Sequence, residues 1–315
     1  MRQAERLVGP AWVAGSVRAR HLLARRLGRQ GARALASSPS LDAALAVLEG
    51  TAYGRRVRAG MDLGEAQRAI AATALWHMRI LAGWLPSSGV GPVRALAGWF
   101  EIANVEDRLR YLAGRDAPRP FALGALATAW PVLAAAQSPE DVRAGLVGSA
   151  WGDPGSVDPA ELGLALRLSW ARRVHAVAPE AAGWASGAVA LVLARELFVA
   201  RRPVDVLVAH RPPGVGSSWA QASSLAAFRD LLPREAATAL EGVEGEDDLW
   251  RAEAAWWRGV EREAGRLSGA AHMGRPMVVG CVALLGADAR RTAGALEAAA
   301  RSGAPSALAV VDEIG

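Results

Sequence analysis

Hydrophobic and polar residues alternate at helical spacing along nearly the whole chain. Ala, Leu, Arg and Glu dominate, runs of β-branched residues are scarce, and Pro and Gly interrupt the pattern at intervals. In one segment Ile102, Val105 and Leu109 fall at positions i, i+3 and i+7, and Leu112 continues the series. This spacing is typical of a helix that buries one stripe. The pattern therefore predicts an all-α protein.

The limits of the helices follow from the breakers between them. The spacing predicts helices over residues 11–35, 40–49, 62–85, 92–112, 121–136, 139–147, 159–177, 181–201, 219–231, 247–267 and 276–301. In the first of these, Val13, Val17, Leu22 and Leu23 are expected on one face. Gly50 would end the second helix in the left-handed conformation. The apolar run 306–315 could be a strand or a frayed end.

One five-residue sequence occurs twice. Gly50-Thr51-Ala52-Tyr53-Gly54 returns as Gly148-Ser149-Ala150-Trp151-Gly152, with Gly, a hydroxyl residue, Ala, an aromatic residue and Gly in the same order. The two pentads start 98 residues apart (148 − 50), and Ser-Pro pairs at 38–39 and 138–139 precede them. That interval is about the size of a small helical subdomain. We predict three pseudo-symmetric helical units over residues 1–117, 118–211 and 212–303, followed by a tail at 304–315. Because the repeat holds packing and turn residues and no repeated acid, base or nucleophile, it favours a scaffold over an enzyme.

Composition and charge narrow the possible partners. The chain of 315 residues is 52% hydrophobic, which is enough to bury a large core. Every basic residue is Arg, and these residues are dispersed among acids rather than gathered with aromatic residues, so we expect no nucleic-acid binding. The formal charge of +5 still suits an acidic protein partner or an anionic membrane surface. Cys281 is the single cysteine, which excludes an internal disulfide and favours a reducing compartment.

Two stretches approach the composition of a membrane span. Residues 120–139 carry no charge but are rich in Ala and contain Gly124 and Pro131, which favours a buried helix. Residues 181–194 are apolar, but Arg195 and Glu196 follow at once and would stop the run short of a span. No apolar signal core follows the charged N-terminus. The expectation is a chain that is soluble by itself.

No candidate for catalysis, cofactor binding or metal binding withstands inspection. The Gly214–Ser218 loop lacks the Lys-Ser/Thr of a nucleotide loop and follows no predicted strand, so a turn is expected. The five His residues lack metal-ligand spacing. Asp247-Asp248 resembles an acidic motif of helical prenyl-transfer enzymes, but no second acidic motif faces it. We expect the Trp residues to lie in the core, except that one of Trp256 and Trp257 should be an exposed contact residue. The Trp residues expected in the core are Trp76, Trp84, Trp99, Trp170, Trp184 and Trp256.

Several segments together resemble one known family. They are Arg18-Ala19-Arg20, the segment from Ser37 to Leu45, the first pentad with Leu48 and Glu49 before it, and the segment from Trp99 to Arg110. In order and spacing they are similar to the rotor coupling subunit of vacuolar-type and archaeal-type ATPases, which is designated C in prokaryotes and d in eukaryotes. The closing segment 261–303 also resembles the last repeat of that family, with Asp288, Arg290 and Arg291 at its acidic and basic positions. The residues of the two pentads and of the Trp99–Arg110 segment that we take as the structural motif are Gly50, Thr51, Tyr53, Gly54, Asn104, Arg108, Gly148, Trp151 and Gly152.

The resemblance implies a fold and a function. The fold would be that of the V-type ATPase coupling subunit, a funnel of three related helical units. The function would be non-catalytic: it would link the central-stalk subunits to the membrane rotor ring on the cytoplasmic side, for proton or sodium transport, without a cofactor. Asn104 and Arg108 lie on one helix face, and we expect Asn104 to bond a backbone group of the Tyr53 turn or of a neighbouring helix end. A diverged, free-standing helical interaction protein and, less favoured, a helical isoprenoid-type enzyme are the alternatives.

Overall fold

A computed structural model of the chain describes residues 9–269 and 273–301, and this part of the chain contains helices and no β-strand. The prediction of an all-α protein is confirmed. The α-helices, in chain order, are α1 (Pro10–Ala24), α2 (Gly28–Ala36), α3 (Leu41–Glu49), α4 (Leu63–Gly83), α5 (Ser87–Leu96), α6 (Gly98–Leu112), α7 (Trp130–Leu133), α8 (Pro139–Val147), α9 (Pro159–Val177), α10 (Ala182–Ala194), α11 (Val204–Ala209), α12 (Leu225–Leu231), α13 (Arg234–Ala237), α14 (Leu249–Gly269) and α15 (Arg275–Ala300). The short 3-10 helices are Ala52–Arg55, Gly124–Leu126, Pro179–Ala181, Ser218–Gln221, Thr238–Leu240 and Glu246–Asp248, and Arg195–Val199 is a π-helix.

The chain divides into two compact units, one made of Met1–Val93 with Glu261–Gly315 and the other of Arg94–Val260. The first compact unit therefore combines an early and a late segment of the chain. A division into three consecutive units does not predict this. The three predicted units, and the relation between them, stay a prediction. The predicted tail 304–315, with its apolar run, lies outside the described residues.

In the first compact unit the long helix α15 is the central element. It packs against α1, α2, α3 and α4, and α1 also packs against α4. Leu45, Ile70 and Leu296 are fully buried in the core that forms between them. Helix α4 begins at a capping box, in which Asp62 Oδ1 accepts the Glu65 N–H at 2.7 Å and Glu65 Oε2 accepts the Asp62 N–H at 3.1 Å. The caps fix where each helix starts, and the apolar stripes fix how the helices pack.

In the second compact unit α6 has the corresponding place. It packs against α7, α8 and α9, and α10 packs against α9 and α13. Ile102, Val105 and Leu109 of α6 are buried and Leu112 is half-buried, which confirms the first three positions of the predicted stripe. Ser138 and Asp141 form a capping box at the start of α8, and Asp158 caps α9. In both units a long helix thus packs against helices that follow one another in the chain: four of them, α1 to α4, for α15 and three, α7 to α9, for α6.

The predicted limits of α3, α4, α8, α9 and α15 agree with the structure to within about two residues. The single helix predicted over 11–35 is wrong, because α1 ends at Ala24 and α2 begins at Gly28. The Asp288 carboxylate accepts the N–H groups of Leu27 and Gly28, and these bonds start a second helix. Val13 and Val17 are exposed, so the stripe predicted for this segment is also wrong. Gly50 has φ −78°, so the left-handed end predicted for α3 is not formed.

Three other predicted helices differ from the structure. Residues 121–136 form a loop with short helical turns instead of one helix, because side chains of α6 bind their backbone groups. The helix predicted over 92–112 is divided at Ala97 into α5 and α6, and α5 begins at Ser87, in the segment left between the helices predicted over 62–85 and 92–112. The helix predicted over 219–231 begins only at Leu225, after a separate 3-10 turn.

Helix α10 continues without interruption into the π-helix, so residues 182–199 are helical, close to the predicted 181–201. In the described part of the chain the helical segment Pro179–Val199 meets the length and composition of a membrane span, with half of its most apolar window buried. The core helix of a soluble protein meets the same test, so this segment is weak evidence for a span.

Candidate functional site

The two pentads make the same hydrogen bonds. In the first, the Thr51 hydroxyl donates to the Leu48 carbonyl at 2.7 Å and accepts the Tyr53 N–H at 3.1 Å. In the second, the Ser149 hydroxyl donates to the Leu146 carbonyl at 2.8 Å and accepts the Trp151 N–H at 3.1 Å. The hydroxyl residue in second place therefore closes the turn that follows each helix. The sequence repeat is a repeat of local structure.

The equivalence extends to the helix before each pentad. The Ser40 hydroxyl accepts the Ala43 N–H at the start of α3, and the Ser138 hydroxyl accepts the Asp141 N–H at the start of α8. These two caps are 98 residues apart (138 − 40), the same interval as between the pentads. The two Ser-Pro pairs are therefore out of register with each other, because in the first unit Ser40 and not Ser38 is the cap.

The aromatic residue of each pentad is buried close to a charged group. The Tyr53 hydroxyl donates to Asp288 Oδ2 at 2.8 Å. Burial and the neighbouring Asp288 carboxylate hold the pKa of Tyr53 well above its ordinary value of 10.0, so the hydroxyl keeps its proton and remains a donor. Trp151 has no hydroxyl to donate in this way, and instead its ring lies under the Arg173 guanidinium at 4.2 Å from the ring centroid.

Two acidic residues of the central helices cap the helix starts that face them. In the first compact unit Asp288 of α15 accepts the N–H of Leu27 at 3.1 Å and of Gly28 at 2.8 Å, at the start of α2. In the second, Glu101 of α6 accepts the N–H of Thr128 at 2.9 and 3.0 Å and those of Ala129 and Trp130 at 2.6 Å each, at the start of α7. A buried carboxylate at a helix start binds free N–H groups and the positive end of the helix dipole.

Three side chains of α6 hold the loop 121–136. Besides Glu101, Asn104 donates through Nδ2 to the Phe121 carbonyl at 3.0 Å and accepts the Phe121 N–H at 2.6 Å. Arg108 donates to the Ala136 carbonyl, from Nε at 3.1 Å and from Nη2. Asn104 therefore bonds a backbone group, as expected, but its partner is Phe121 in a loop and not the Tyr53 turn or a helix end. We call Glu101, Asn104 and Arg108 the α6 clamp.

A half-buried basic residue lies next to the clamp. Arg173 of α9 donates from Nη2 to the Thr128 hydroxyl at 2.7 Å, so it contacts the residue whose N–H the Glu101 carboxylate binds. Burial lowers the pKa of Arg173, and the nearby Glu101 charge offsets part of that effect. Neither Glu101 nor Arg173 was predicted from the sequence as a site residue. The signal for Glu101 was available, because an acid in the buried stripe of a helix needs a partner.

Ser186 and His175 form a pair that the sequence did not predict. The Ser186 hydroxyl and His175 Nε2 are 3.1 Å apart, and the hydroxyl is also 3.1 Å from the Ala182 carbonyl. The hydroxyl has one proton, so a bond to Ala182 leaves His175 as the donor to Ser186 and not as its base. Gly214, in the predicted turn, packs against both side chains, since a Cβ there would lie 2.2 Å from the Ser186 hydroxyl and 2.9 Å from His175 Nε2. The arrangement is that of a packing contact between helices.

Other candidates are placed as follows. Asp248 pairs with Arg251 on the next turn, and in the described part of the chain no group of three His, Cys, Asp or Glu residues has the geometry to hold a metal ion. Trp256 and Trp257 are both half-buried and pack edge to face at 4.8 Å, so neither is the exposed residue expected. Trp84 and Trp99, which were expected in the core, are exposed to 53% and 38%.

Comparison of the chain with protein-family models and with curated protein sequences gives no match.

Proposed function

We propose that this chain is the non-catalytic coupling subunit of a V/A-type rotary ATPase, located at the cytoplasmic face of the membrane. It would link the central-stalk subunits to the membrane rotor ring during proton or sodium transport. The observation that carries this proposal is the recurrence of one structural unit: a hydroxyl-capped short helix, a Gly-led pentad and a long helix, with an acidic residue from another long helix nearby.

A third partial copy supports the division into three units. Within the described residues, Ser224 caps α12 by accepting the Ala227 N–H at 3.2 Å, as Ser40 and Ser138 cap α3 and α8. The α-helices that follow α3 and α8 are the long α4 and α9, with 21 and 19 residues, whereas the four-residue α13 lies between α12 and the 21-residue α14. We infer that the three units form the pseudo-symmetric funnel of the coupling-subunit fold, with a related element in each third of the chain.

The chemistry of the repeat suits a mechanical role. The groups that recur are hydroxyl caps, buried aromatic rings and acids that bind backbone N–H groups. The caps fix where a helix begins or ends, whereas the acids connect elements that are far apart in the chain. A subunit that transmits torque needs such connections, because a rotating load would otherwise bend the joints between its helices. The side chains of the α6 clamp are engaged with the backbone, so they serve as structural residues rather than as acids or bases.

Exposed aromatic residues are the proposed apolar contacts with partners. Trp84, Trp99 and Trp250 are exposed to 53%, 38% and 43%. Large exposed rings are energetically important at protein interfaces, and Arg side chains add forked donors that pair with carboxylates. We expect the stalk and the ring to use these two residue types, and complex formation to slow as the salt concentration rises.

Co-purification from detergent-solubilised host membranes tests the proposal. The tagged full-length chain should bring down the central-stalk and rotor-ring subunits, and W84A, W99A and W250A variants should be tested in parallel. V132A serves as the matched control, since Val132 is also exposed but is aliphatic. The proposal requires capture by the wild-type chain and by V132A, with loss in at least one Trp variant that remains helical by circular dichroism. Absence of both partners from the wild-type sample, or sustained nucleotide hydrolysis by the isolated chain, would overturn it.

A further inference from the structure

A group of basic side chains surrounds His77 in the first compact unit. Arg18 and Arg25 are two helical turns apart, on one side of α1 and at its C-terminal end, and α1 packs against α4, which carries His77. Arg55 belongs to the 3-10 helix that contains part of the first pentad. Arg55 is stacked over Trp76, the neighbour of His77 on α4, and the charges of Arg25, Arg18 and Arg55 each act on His77. We call Arg18, Arg25, Arg55 and His77 the α1–α4 basic cluster.

The cluster has too little negative charge of its own. Within the described residues no carboxylate forms an ion pair with Arg18, Arg25 or Arg55. The one acid that acts on His77 is Asp288, and its effect is the smallest of those that act there. The oxygens of Asp288 are already occupied by the Tyr53 hydroxyl and by two backbone N–H groups. Burial and the three Arg charges lower the pKa of His77 to about 4, so His77 itself adds no charge at neutral pH.

The geometry of the cluster is open to a ligand. Arg25 and Arg55 are exposed. The Arg55 guanidinium is stacked over the Trp76 ring at 3.9 Å, and Trp76 contacts His77 with ring centroids 5.0 Å apart. Arg18 Nε is buried and has no hydrogen-bond partner among the described atoms. A stacked guanidinium is held in place before a ligand arrives. Arg25 follows the C-terminus of α1 and Arg55 lies in the last turn of its 3-10 helix, where a positive charge suits the helix dipole, whereas Arg18 lies within α1.

We propose that the α1–α4 basic cluster is a binding site for a phosphoryl group. A phosphoryl dianion has several acceptor oxygens and matches the forked donors of guanidinium groups, which bind phosphate in a bidentate manner. Arg18 and Arg25 would bind its oxygens from α1, and Arg55 would close the site from the pentad turn. The phosphoryl group could belong to a lipid headgroup or to a free phosphate compound. This proposal does not depend on the proposed role in a rotary ATPase.

Isothermal titration of the full-length chain with inorganic phosphate tests the site directly. R18Q, R25Q and R55Q should each weaken phosphate binding by about tenfold, which corresponds to loss of one charge-assisted hydrogen bond. R20Q and R56Q are the matched controls, because Arg20 and Arg56 are exposed, close in sequence to the cluster and carry the same charge. The controls should bind phosphate as the wild-type chain does. Equal weakening in all five variants would show non-specific attraction to positive charge and would overturn the proposal.

His77 gives a second readout that a structural role of the Arg residues would not produce. A bound phosphoryl group adds negative charge beside Arg18, Arg25 and Arg55, which together with Asp288 are the groups that act on His77, so the pKa of His77 should rise from about 4 toward 6.5. Nuclear magnetic resonance of a chain with labelled His, with and without inorganic phosphate, measures this change. An unchanged His77 pKa at saturating phosphate would overturn the proposal.

Vesicles separate the two sources of the phosphoryl group. Sedimentation with phosphatidylcholine vesicles that contain phosphatidic acid is compared with sedimentation with phosphatidylcholine alone. Binding that needs phosphatidic acid and is lost in R25Q and R55Q, but not in R56Q, assigns the site to a lipid headgroup. Inorganic phosphate binding without vesicle binding assigns it to a free phosphate compound. Both results support a phosphoryl site, whereas absence of both kinds of binding overturns it.

Discussion

Replacement of Glu101 by Ala should destabilise the second compact unit severely. The Glu101 residue is 1% exposed, and its carboxylate accepts the N–H groups of Thr128, Ala129 and Trp130. Ala129 is buried, so loss of its acceptor costs about 1–3 kcal/mol. Thr128 and Trp130 are half-buried, and water can reach them in part, which limits the cost to about 0.5–1 kcal/mol each. The sum is about 2–5 kcal/mol, and the loss of the counter-charge to Arg173 adds to it.

Two further variants separate the loss of the acceptor oxygens in E101A from the loss of a negative charge. E101Q keeps one acceptor oxygen and nearly the same volume, so we expect about half of the E101A effect. E106A is the matched control, because Glu106 lies on the same helix and pairs with Arg167 at 2.7 Å but is 33% exposed at its side chain. An ion pair of that kind contributes less than about 1 kcal/mol.

Urea unfolding followed by circular dichroism measures the free energy of unfolding of each variant. Hydrogen exchange then shows whether the loss is local, since the amides of residues 128–130 should exchange much faster in E101A than in the wild-type chain. If E101A loses less than about 1 kcal/mol, or no more than E106A, the N–H groups do not depend on Glu101 and the clamp is not the element that holds this loop.

Gly54, Cys281 and His77 give three more measurable outcomes. A Cβ at Gly54 would lie 2.0 Å from the Glu49 carbonyl oxygen, so G54A should lower the free energy of unfolding by more than about 3 kcal/mol. A Cβ at Gly152 would meet no atom, and only its φ of +77° is unfavourable, so G152A should cost about 1 kcal/mol. Similar free energies of unfolding for the two variants would refute the distinction. Burial raises the pKa of Cys281 to about 12, so a maleimide should label it in the urea-unfolded chain and not in the native one, and rapid native labelling would contradict the placement. The pKa of His77 is about 4 in the folded chain against an ordinary value of 6.5, so between these pH values only the unfolded chain binds the proton. The free energy of unfolding should therefore fall as pH decreases from 6.5 to 4, by about 3 kcal/mol in the ideal case and about 2 kcal/mol after solvent screening. An H77Q variant with the same pH dependence would exclude His77 as the cause.

The sequence predicted those helices whose caps and apolar stripes are local. Asp158 and Pro159 start α9, and they directly precede the apolar residues of that helix. Ser138 and Asp141 start α8 in the same way. The helices at both sides of each pentad were therefore placed correctly. The buried stripe of α6 was also predicted, because its apolar residues recur at helical spacing within one continuous segment.

Two of the errors have one cause in common, which is a side chain that acts at a distance along the chain. Residues 121–136 have the composition of a helix, but Glu101 and Asn104 bind their N–H groups from 17 to 29 residues away. Asp288 divides the first predicted helix from 260 residues away. A local pattern contains no information about such partners. The local pattern does show an acid or amide within an apolar stripe. Such a buried polar side chain needs a partner, which indicates that it binds a backbone segment elsewhere and changes the conformation of that segment.

The two pentads indicate that the constraint on the repeat is geometric rather than chemical. Tyr53 satisfies Asp288 with a hydroxyl, whereas Trp151 has no such group and Arg173 lies over its ring close to Glu101 instead. A repeated catalytic site would keep its acid, base or nucleophile and vary the packing around it. Here the hydroxyl caps and the turn bonds are kept while the polar partners are exchanged, so what the two copies share is the local structure of a capped helix and the turn after it. That is the property expected of a part that carries load between two other bodies, and it is the reason why the repeat supports a coupling role more strongly than it supports an enzyme.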